Sequence, residues 1–243
     1  MRVLFRPATG NRVLRNAAVQ ELSGQRYTSL TLALDRGAHA CHLYSTANEQ
    51  KEIVLRFLTQ GLKLGECCNY IAPDGSVDDW YFELQTAGID VLAERQKHAL
   101  LVLDMSSWVP EGNLNSAILA RRLWRSIARP LADFPAVRLI TDMGWALARQ
   151  LPPDQLCHWE ATTNLVYEDT NARAICQYDL VRHGPQALSS ALRTHPTVIF
   201  EGRVLRSPFY EAPRILAEEP NLNHSEADAS AVARMLEAVR ATP

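Results

Sequence analysis

An alternation of strand and helix is clearest in residues 38–72, which read AHACHLYSTANEQKEIVLRFLTQGLKLGECCNYIA. Residues 38–44 form an apolar run with the character of a buried strand, and residues 67–72 form a second one. Between them, residues 48–64 repeat apolar side chains near the 3.6-residue period, and Gly65 follows as a stop. This stretch therefore predicts two parallel strands joined by a helix.

The same alternation continues along the chain. Further strands are expected at 99–103, 137–141, 174–178 and 197–200, and further helices at 77–86, 113–131, 156–167 and 186–194. Because long helices separate the strands, the strands should lie mainly parallel in one central sheet with helices on both faces. We expect this α/β domain over residues 31–213. Outside it we expect an N-terminal extension (1–30, with a short helix at 16–22) and a C-terminal linker and amphipathic helix (214–243, helix at 225–240). A short strand expected at 29–34 crosses the N-terminal boundary.

The composition excludes several classes of protein. The 243 residues are 47% hydrophobic and 21% charged with a net charge of −2, which is typical of a soluble globular protein. Near-neutral charge argues against a nucleic-acid surface, and no apolar run approaches the ~20 residues that cross a bilayer. Five cysteines, two of them adjacent, make a poor disulfide framework and favour the cytoplasm.

The loop after the first strand lacks the parts that bind a nucleotide. Such a loop needs glycines whose backbone N–H groups surround the phosphates, followed by Lys and Ser or Thr. Residues 45–51 contain no glycine, and Thr46 and Glu49 instead form a helix-capping box. The Glu49 carboxylate would repel a phosphate at the helix N-terminus. No catalytic residue is predicted.

Cysteine and histidine cluster in three short runs: His39-Ala-Cys41-His42, Cys67-Cys68 and Cys157-His158. None has the C-x₂-C or H-x₃-H spacing of a common zinc site, and adjacent strand residues point to opposite faces. Packing of buried thiols is the favoured interpretation, so neither a metal site nor a cofactor is predicted. A metal-binding or redox regulator remains the alternative.

Aromatic side chains fall at the ends of several predicted elements, among them Tyr44, Trp145 and Tyr178. With a few polar groups they could line an apolar pocket of the kind that binds a small organic molecule. The polar groups are His42, Glu160, Cys176 and His195. Burial would raise the pKa of Glu160, so that its carboxyl could donate a hydrogen bond. The alternative is an interaction protein without a ligand, in which the aromatic residues are simply core.

Several short motifs, in order, resemble the MEDS domain (methanogen/methylotroph, DcmR sensory domain) over about residues 33–213. They are Gly37–Tyr44, Gly61–Glu66, Asp142–Leu147, Trp159-Glu160 with Asn164, Ile175–Asp179, Thr194–Pro196 and Ser207–Tyr210. The resemblance implies a RecA-like three-layer α/β sandwich, similar to the clock-protein ATPases but without their phosphate loop.

The same resemblance implies a non-enzymatic sensory module for a small organic molecule, such as a hydrocarbon derivative. Its recurrent positions include Glu66 and Pro196, and the expected ligand-binding set is His42, Tyr44, Trp145, Glu160, Cys176, Tyr178 and His195. We expect signalling in trans to a histidine-kinase-like or DNA-binding output protein, with no direct contact to nucleic acid or membrane. A homodimer is left open. A degenerate RecA-like nucleotide-binding protein is the further alternative.

Overall fold

The computed structural model describes residues 34–108, 116–213, 216 and 227–242. The helix expected at 16–22 lies outside these residues. So do residues 29–33 of the N-terminal strand, residues 113–115 of the long helix and residues 225–226 of the C-terminal helix. Leu34, the last residue of the expected N-terminal strand, is buried but is not part of a strand.

One seven-stranded sheet forms the centre of the described structure, with the order β3-β2-β4-β5-β1-β6-β7. Six strands run parallel, and β7 pairs antiparallel with β6. The strands are β1 (His39–Tyr44), β2 (Cys67–Ala72), β3 (Leu100–Asp104), β4 (Val137–Asp142), β5 (Ala172–Asp179), β6 (Thr197–Phe200) and β7 (Arg203–Arg206). The prediction of a mainly parallel α/β sheet is confirmed.

Helices cover both faces of the sheet. The first face packs against α1 (Ala47–Lys63), α2 (Val77–Thr86) and α3 (Val91–Gln96) through side chains such as Phe57 and Leu84. The second face packs against the remaining helices, with Leu123 and Leu188 in its core. These are α4 (Met105–Trp108), α5 (Ser116–Ala128), α6 (Gly144–Ala148), α7 (Pro153–Tyr167), α8 (Pro185–Thr194) and α9 (Ala229–Arg240). No helix among the described residues is long and apolar enough to cross a bilayer.

The C-terminal helix α9 packs on its own domain. Val232 and Val239 are buried in the core of the second face. The Arg240 guanidinium lies 2.8 Å from the Glu201 carboxylate in the β6–β7 turn, and Arg203 donates to the Arg240 carbonyl oxygen at 3.1 Å. The described part of the C-terminal region therefore shares the core of the main domain.

The pairing of β1 with β5 decides which side chains meet. Cys41 lies opposite Cys176 in this parallel ladder. Because side chains alternate along a strand, His39 and Cys41 share the second face with Cys176, whereas His42 lies on the first face.

A buried ion pair connects α1 and β2 to the centre of the sheet. The Glu66 carboxylate accepts hydrogen bonds from Arg138 of β4 and, at 3.4 Å, from Arg173 of β5. Arg138 also donates to the Phe57 carbonyl oxygen at 3.2 Å. A Cβ at Gly61 would lie 2.6 Å from Cδ of Arg138, so glycine is required where the helix crosses this arginine.

Glu66→Gln should lower the free energy of unfolding by about 3 kcal/mol, because it leaves the Arg138 charge buried without its partner. Urea unfolding measures this loss. Glu52→Gln is the matched control, since Glu52 pairs with Arg56 at the partly exposed surface of α1, and it should cost less than about 1 kcal/mol. Equal losses in the two variants would contradict a structural role for the buried pair.

Candidate functional site

Four side chains from four separate elements converge on the second face of the sheet. They are His39 of β1, Glu160 of α7, Cys176 of β5 and His195, the residue that follows α8. All four are buried, and His195 and Glu160 have no exposed surface.

The polar atoms of this cluster surround one point. Nε2 of His39 lies 3.2 Å from Nε2 of His195 and 3.2 Å from Sγ of Cys176. Oε2 of Glu160 lies 3.4 Å from His39, 3.6 Å from His195 and 3.7 Å from Cys176. The four donor atoms all lie within 4.8 Å of one another.

Hydrogen bonds on the outside of the cluster fix both imidazole rings. The Asn164 amide nitrogen donates to the Thr194 carbonyl at 2.6 Å, so its Oδ1 faces Nδ1 of His39, at 3.2 Å, as an acceptor. Nδ1 of His195 lies 2.8 Å from the Ala191 carbonyl oxygen, which can only accept. Both Nδ1 atoms therefore carry the hydrogen, and in the neutral rings both Nε2 lone pairs point into the cluster.

Burial controls the charges in the cluster. It lowers the pKa of His195 to about 4 and holds that of His39 well below its usual range, so both rings are neutral at pH 7. Burial also raises the pKa of Glu160 to about 7, although the hydrogen bond that Tyr178 donates to Oε1 at 2.6 Å opposes this shift. The Cys176 thiol has a raised pKa, first from burial and then from the Glu160 charge.

The structure brings three residues of the expected ligand-binding set into this cluster. Glu160, Cys176 and His195 belong to the expected ligand-binding set, and Tyr178 of that set contacts Glu160. His39 was missing from it. The His39-Ala-Cys41 spacing places His39 on the same face as Cys41, but only the β1–β5 register brings it to Cys176.

His42 and Tyr44 lie on the first face, away from the other members of the expected set. His42 accepts a hydrogen bond at Nδ1 from the Gln177 amide, 3.1 Å away. The Tyr44 hydroxyl donates to Asp142 at 3.4 Å, and Gln50 donates to the same carboxylate. The sheet thus divides the expected set into two groups, and a ligand role for His42 and Tyr44 stays a prediction.

Trp145 lines a small cavity beside the cluster. Cys176 belongs to the wall of this cavity and to the cluster at once. The cavity has a free volume of about 20 Å³. One water molecule needs roughly 10–15 Å³ by the same measure. The rest of the wall is mostly apolar and comprises Ile71, Met105, Leu123, Leu139, Thr141, Met143, Trp145, Trp159, Thr163, Tyr167 and Ala174.

A second, larger depression lies between the edge strand β3 and helix α5. It has a volume of about 1050 Å³ and is lined by side chains such as Leu103, Arg125 and Arg129. Leu101 and Trp124 in its wall are 43% and 50% exposed. This open groove contains none of the residues of the expected ligand-binding set.

The family model of the MEDS domain, described as "MEthanogen/methylotroph, DcmR Sensory domain", matches residues 38–196. The chain belongs to this family. The match runs from the residue before β1 to the residue before β6 and includes all four residues of the buried cluster. A sensory role for this MEDS domain follows from its family. Among curated proteins, none matches the sequence.

Two solved structures from Pyrococcus horikoshii share the fold of this MEDS domain. The KaiC-like protein PH0186 has a TM-score of 0.54 at 15% identity, over 69% of this chain and 73% of its own. The uncharacterized protein PH0321, solved with an unknown peptide, has a TM-score of 0.52 at 14% identity, over 71% of this chain and 83% of its own. The expected RecA-like architecture is confirmed, and at these identities the likeness concerns the fold alone.

Acid should destabilise this protein partly through His42. Burial lowers the pKa of His42 to about 3, whereas a histidine in the unfolded chain titrates near 6.5. Below about pH 6.5 the unfolded chain therefore binds a proton that the folded chain cannot, and stability falls by up to about 1.4 kcal/mol per pH unit.

His42→Asn removes this contribution while its amide oxygen still accepts from Gln177. Between pH 7 and pH 5 the variant should lose about 2 kcal/mol less stability than the wild type. Urea unfolding across this pH range measures the difference, and His98→Asn is the control for replacing an exposed histidine. Parallel profiles for the wild type and His42→Asn would contradict the argument from burial.

Proposed function

We propose that this MEDS domain is a non-enzymatic cytoplasmic sensor that binds a small organic molecule and signals in trans to a separate regulatory protein. The observation that carries the proposal is the cavity beside Cys176. It is largely enclosed by apolar side chains, as expected of a site for a hydrocarbon derivative. Its free volume holds little more than one water-sized molecule, so an organic ligand would have to move side chains of the wall.

Trp145 supplies the polar group that would orient such a molecule. Its indole Nε1 is buried and has no hydrogen-bond partner among the described residues. An unsatisfied buried donor costs about 1–3 kcal/mol, which a ligand with an acceptor atom would recover. An alcohol, a ketone or a halogenated hydrocarbon combines such an acceptor with a small apolar body.

The position of Trp145 also provides a route for the signal. Trp145 follows Gly144, whose N–H donates to the Asp142 carboxylate at 2.8 Å. The same carboxylate accepts from Tyr44 and Gln50 at the carboxyl edge of the sheet. A ligand that shifts Trp145 would therefore move the contacts of Asp142 on the other face. A partner that distinguishes the two arrangements would respond to the ligand.

A nucleotide-binding function is less favoured by the loop after β1. The expected capping box is present, because Glu49 N–H donates to Thr46 Oγ1 at 3.2 Å and Ser45 N–H donates to Glu49 Oε2 at 2.8 Å. The Glu49 carboxylate thus occupies the N-terminus of α1, where a phosphate would bind. This arrangement supports a sensor without ATPase activity.

Ligand binding is tested with a panel of alcohols, ketones and halocarbons of one to three carbons. Wild-type protein should show a rise in melting temperature and a change in tryptophan fluorescence with at least one of these compounds. Trp145→Phe removes the indole donor and should weaken binding about tenfold, the equivalent of one hydrogen bond. Ala174→Val narrows the cavity and should weaken binding further.

Two variants control for these changes. Trp124→Phe removes a half-exposed tryptophan outside the cavity, and Ala172→Val adds the same carbons to β5 at a residue that does not line the cavity. Both should bind like the wild type. The proposal fails if no compound of the panel binds, or if Ala174→Val and Trp145→Phe bind as tightly as the controls.

A further inference from the structure

We propose that His39, Glu160, Cys176 and His195 form a binding site for one zinc ion. Two imidazole nitrogens, a thiolate and a carboxylate are the ligand types that zinc takes in proteins. This inference goes beyond the sensory function and does not depend on an organic ligand.

Five of the six distances between the donor atoms are close to those of a tetrahedral site. Zinc bonds to nitrogen, oxygen and sulfur measure about 2.0–2.3 Å, and a tetrahedron's edge is about 1.6 times its centre-to-corner distance, so the edges should be about 3.3–3.8 Å. Five of the six edges here measure 3.2, 3.2, 3.4, 3.6 and 3.7 Å. The sixth, between His195 and Cys176, is within 4.8 Å.

The two imidazole rings are oriented for a cation. Their Nδ1 hydrogens go to Asn164 and to the Ala191 carbonyl, so two Nε2 lone pairs face each other at 3.2 Å. Facing lone pairs repel unless a cation or a shared proton lies between them. Outer hydrogen bonds of this kind, to an amide or carbonyl oxygen, are characteristic of metal-bound histidines.

Charge balance favours a divalent ion in this buried cluster. A zinc ion, the Cys176 thiolate, the Glu160 carboxylate and two neutral imidazoles sum to zero. A neutral assembly avoids the cost of an isolated charge in the core. The Tyr178 hydroxyl satisfies the second oxygen of Glu160, so the carboxylate would have a partner at each oxygen.

Four protein ligands leave no open position, which is typical of a structural rather than a catalytic zinc site. The ligands come from β1, α7, β5 and the end of α8, and His39 and His195 are 156 residues apart. A single ion would therefore hold together distant parts of the second face. Its binding would contribute directly to folding, since the unfolded chain has no preformed site.

Cobalt binding tests this site in the full-length protein. The protein is unfolded in chelator, refolded without metal and titrated with Co²⁺ alone. We expect one equivalent to produce the intense visible absorption of tetrahedral cobalt together with a thiolate-to-cobalt band in the near ultraviolet. One equivalent of Zn²⁺ should then abolish both. Absence of a tetrahedral spectrum in refolded wild type overturns the proposal.

Cysteine variants identify the ligand. Cys176→Ser should lose the thiolate-to-cobalt band and bind Co²⁺ at least 10-fold more weakly. Cys41→Ser is the matched control, because Cys41 is fully buried and lies opposite Cys176 in the β1–β5 ladder. It should keep the band. A band that survives in Cys176→Ser, or that disappears in Cys41→Ser, overturns the assignment.

X-ray absorption of the zinc-loaded wild type keeps the test decisive if Cys176→Ser does not fold. The expected coordination is one sulfur with three nitrogen or oxygen ligands. An all-oxygen shell would show adventitious binding and overturn the proposal. Because no organic compound is present in these experiments, their failure and the failure of small-molecule binding are separate results.

Discussion

The structure depends on the parallel pairing of β1 with β5 at the centre of the sheet. This register places Cys41 beside Cys176 and sends His39 to the same face, where Glu160 and His195 complete the buried cluster. Strand alternation sends His42 and Tyr44 to the opposite face, toward Asp142 and Gln177. A shift of one residue in this register would exchange the two faces and destroy both arrangements.

Most of the fold could be predicted from residue patterns alone. The pattern of apolar residues predicted β2, α2 and β6 with the bounds that the structure shows. The alternation of strands with helices predicted the parallel sheet. Strand β7 was not expected, because its four residues, Arg-Val-Leu-Arg, are too short for a pattern and pair only through the turn at Glu201 and Gly202. The short helices α3, α4 and α6 were not predicted either, because they too are short for a periodic pattern. Neighbour relations such as β1 beside β5 are long-range contacts that no local pattern encodes.

The site was less predictable than the fold. The spacing rules for common zinc sites argued against a metal, because they describe ligands that are close together in sequence. The four residues of the buried cluster come from separate elements and meet only through tertiary packing. The residue pattern and the family resemblance both placed Glu160, Cys176 and His195 in the expected ligand-binding set, without explaining why they occur together. The resemblance includes Asn164 only as part of a motif. In the structure its amide lies between His39 and the Thr194 carbonyl, and it fixes the orientation of the His39 ring.

The central claim is that the buried cluster is built around a cation. Native mass spectrometry tests it most directly, on protein produced in zinc-containing medium and purified without chelator. We predict that the native mass exceeds the denatured mass by one zinc ion less two protons, those of the Cys176 thiol and the Glu160 carboxyl. Identical native and denatured masses would contradict this account and leave the cluster as a hydrogen-bonded part of the core.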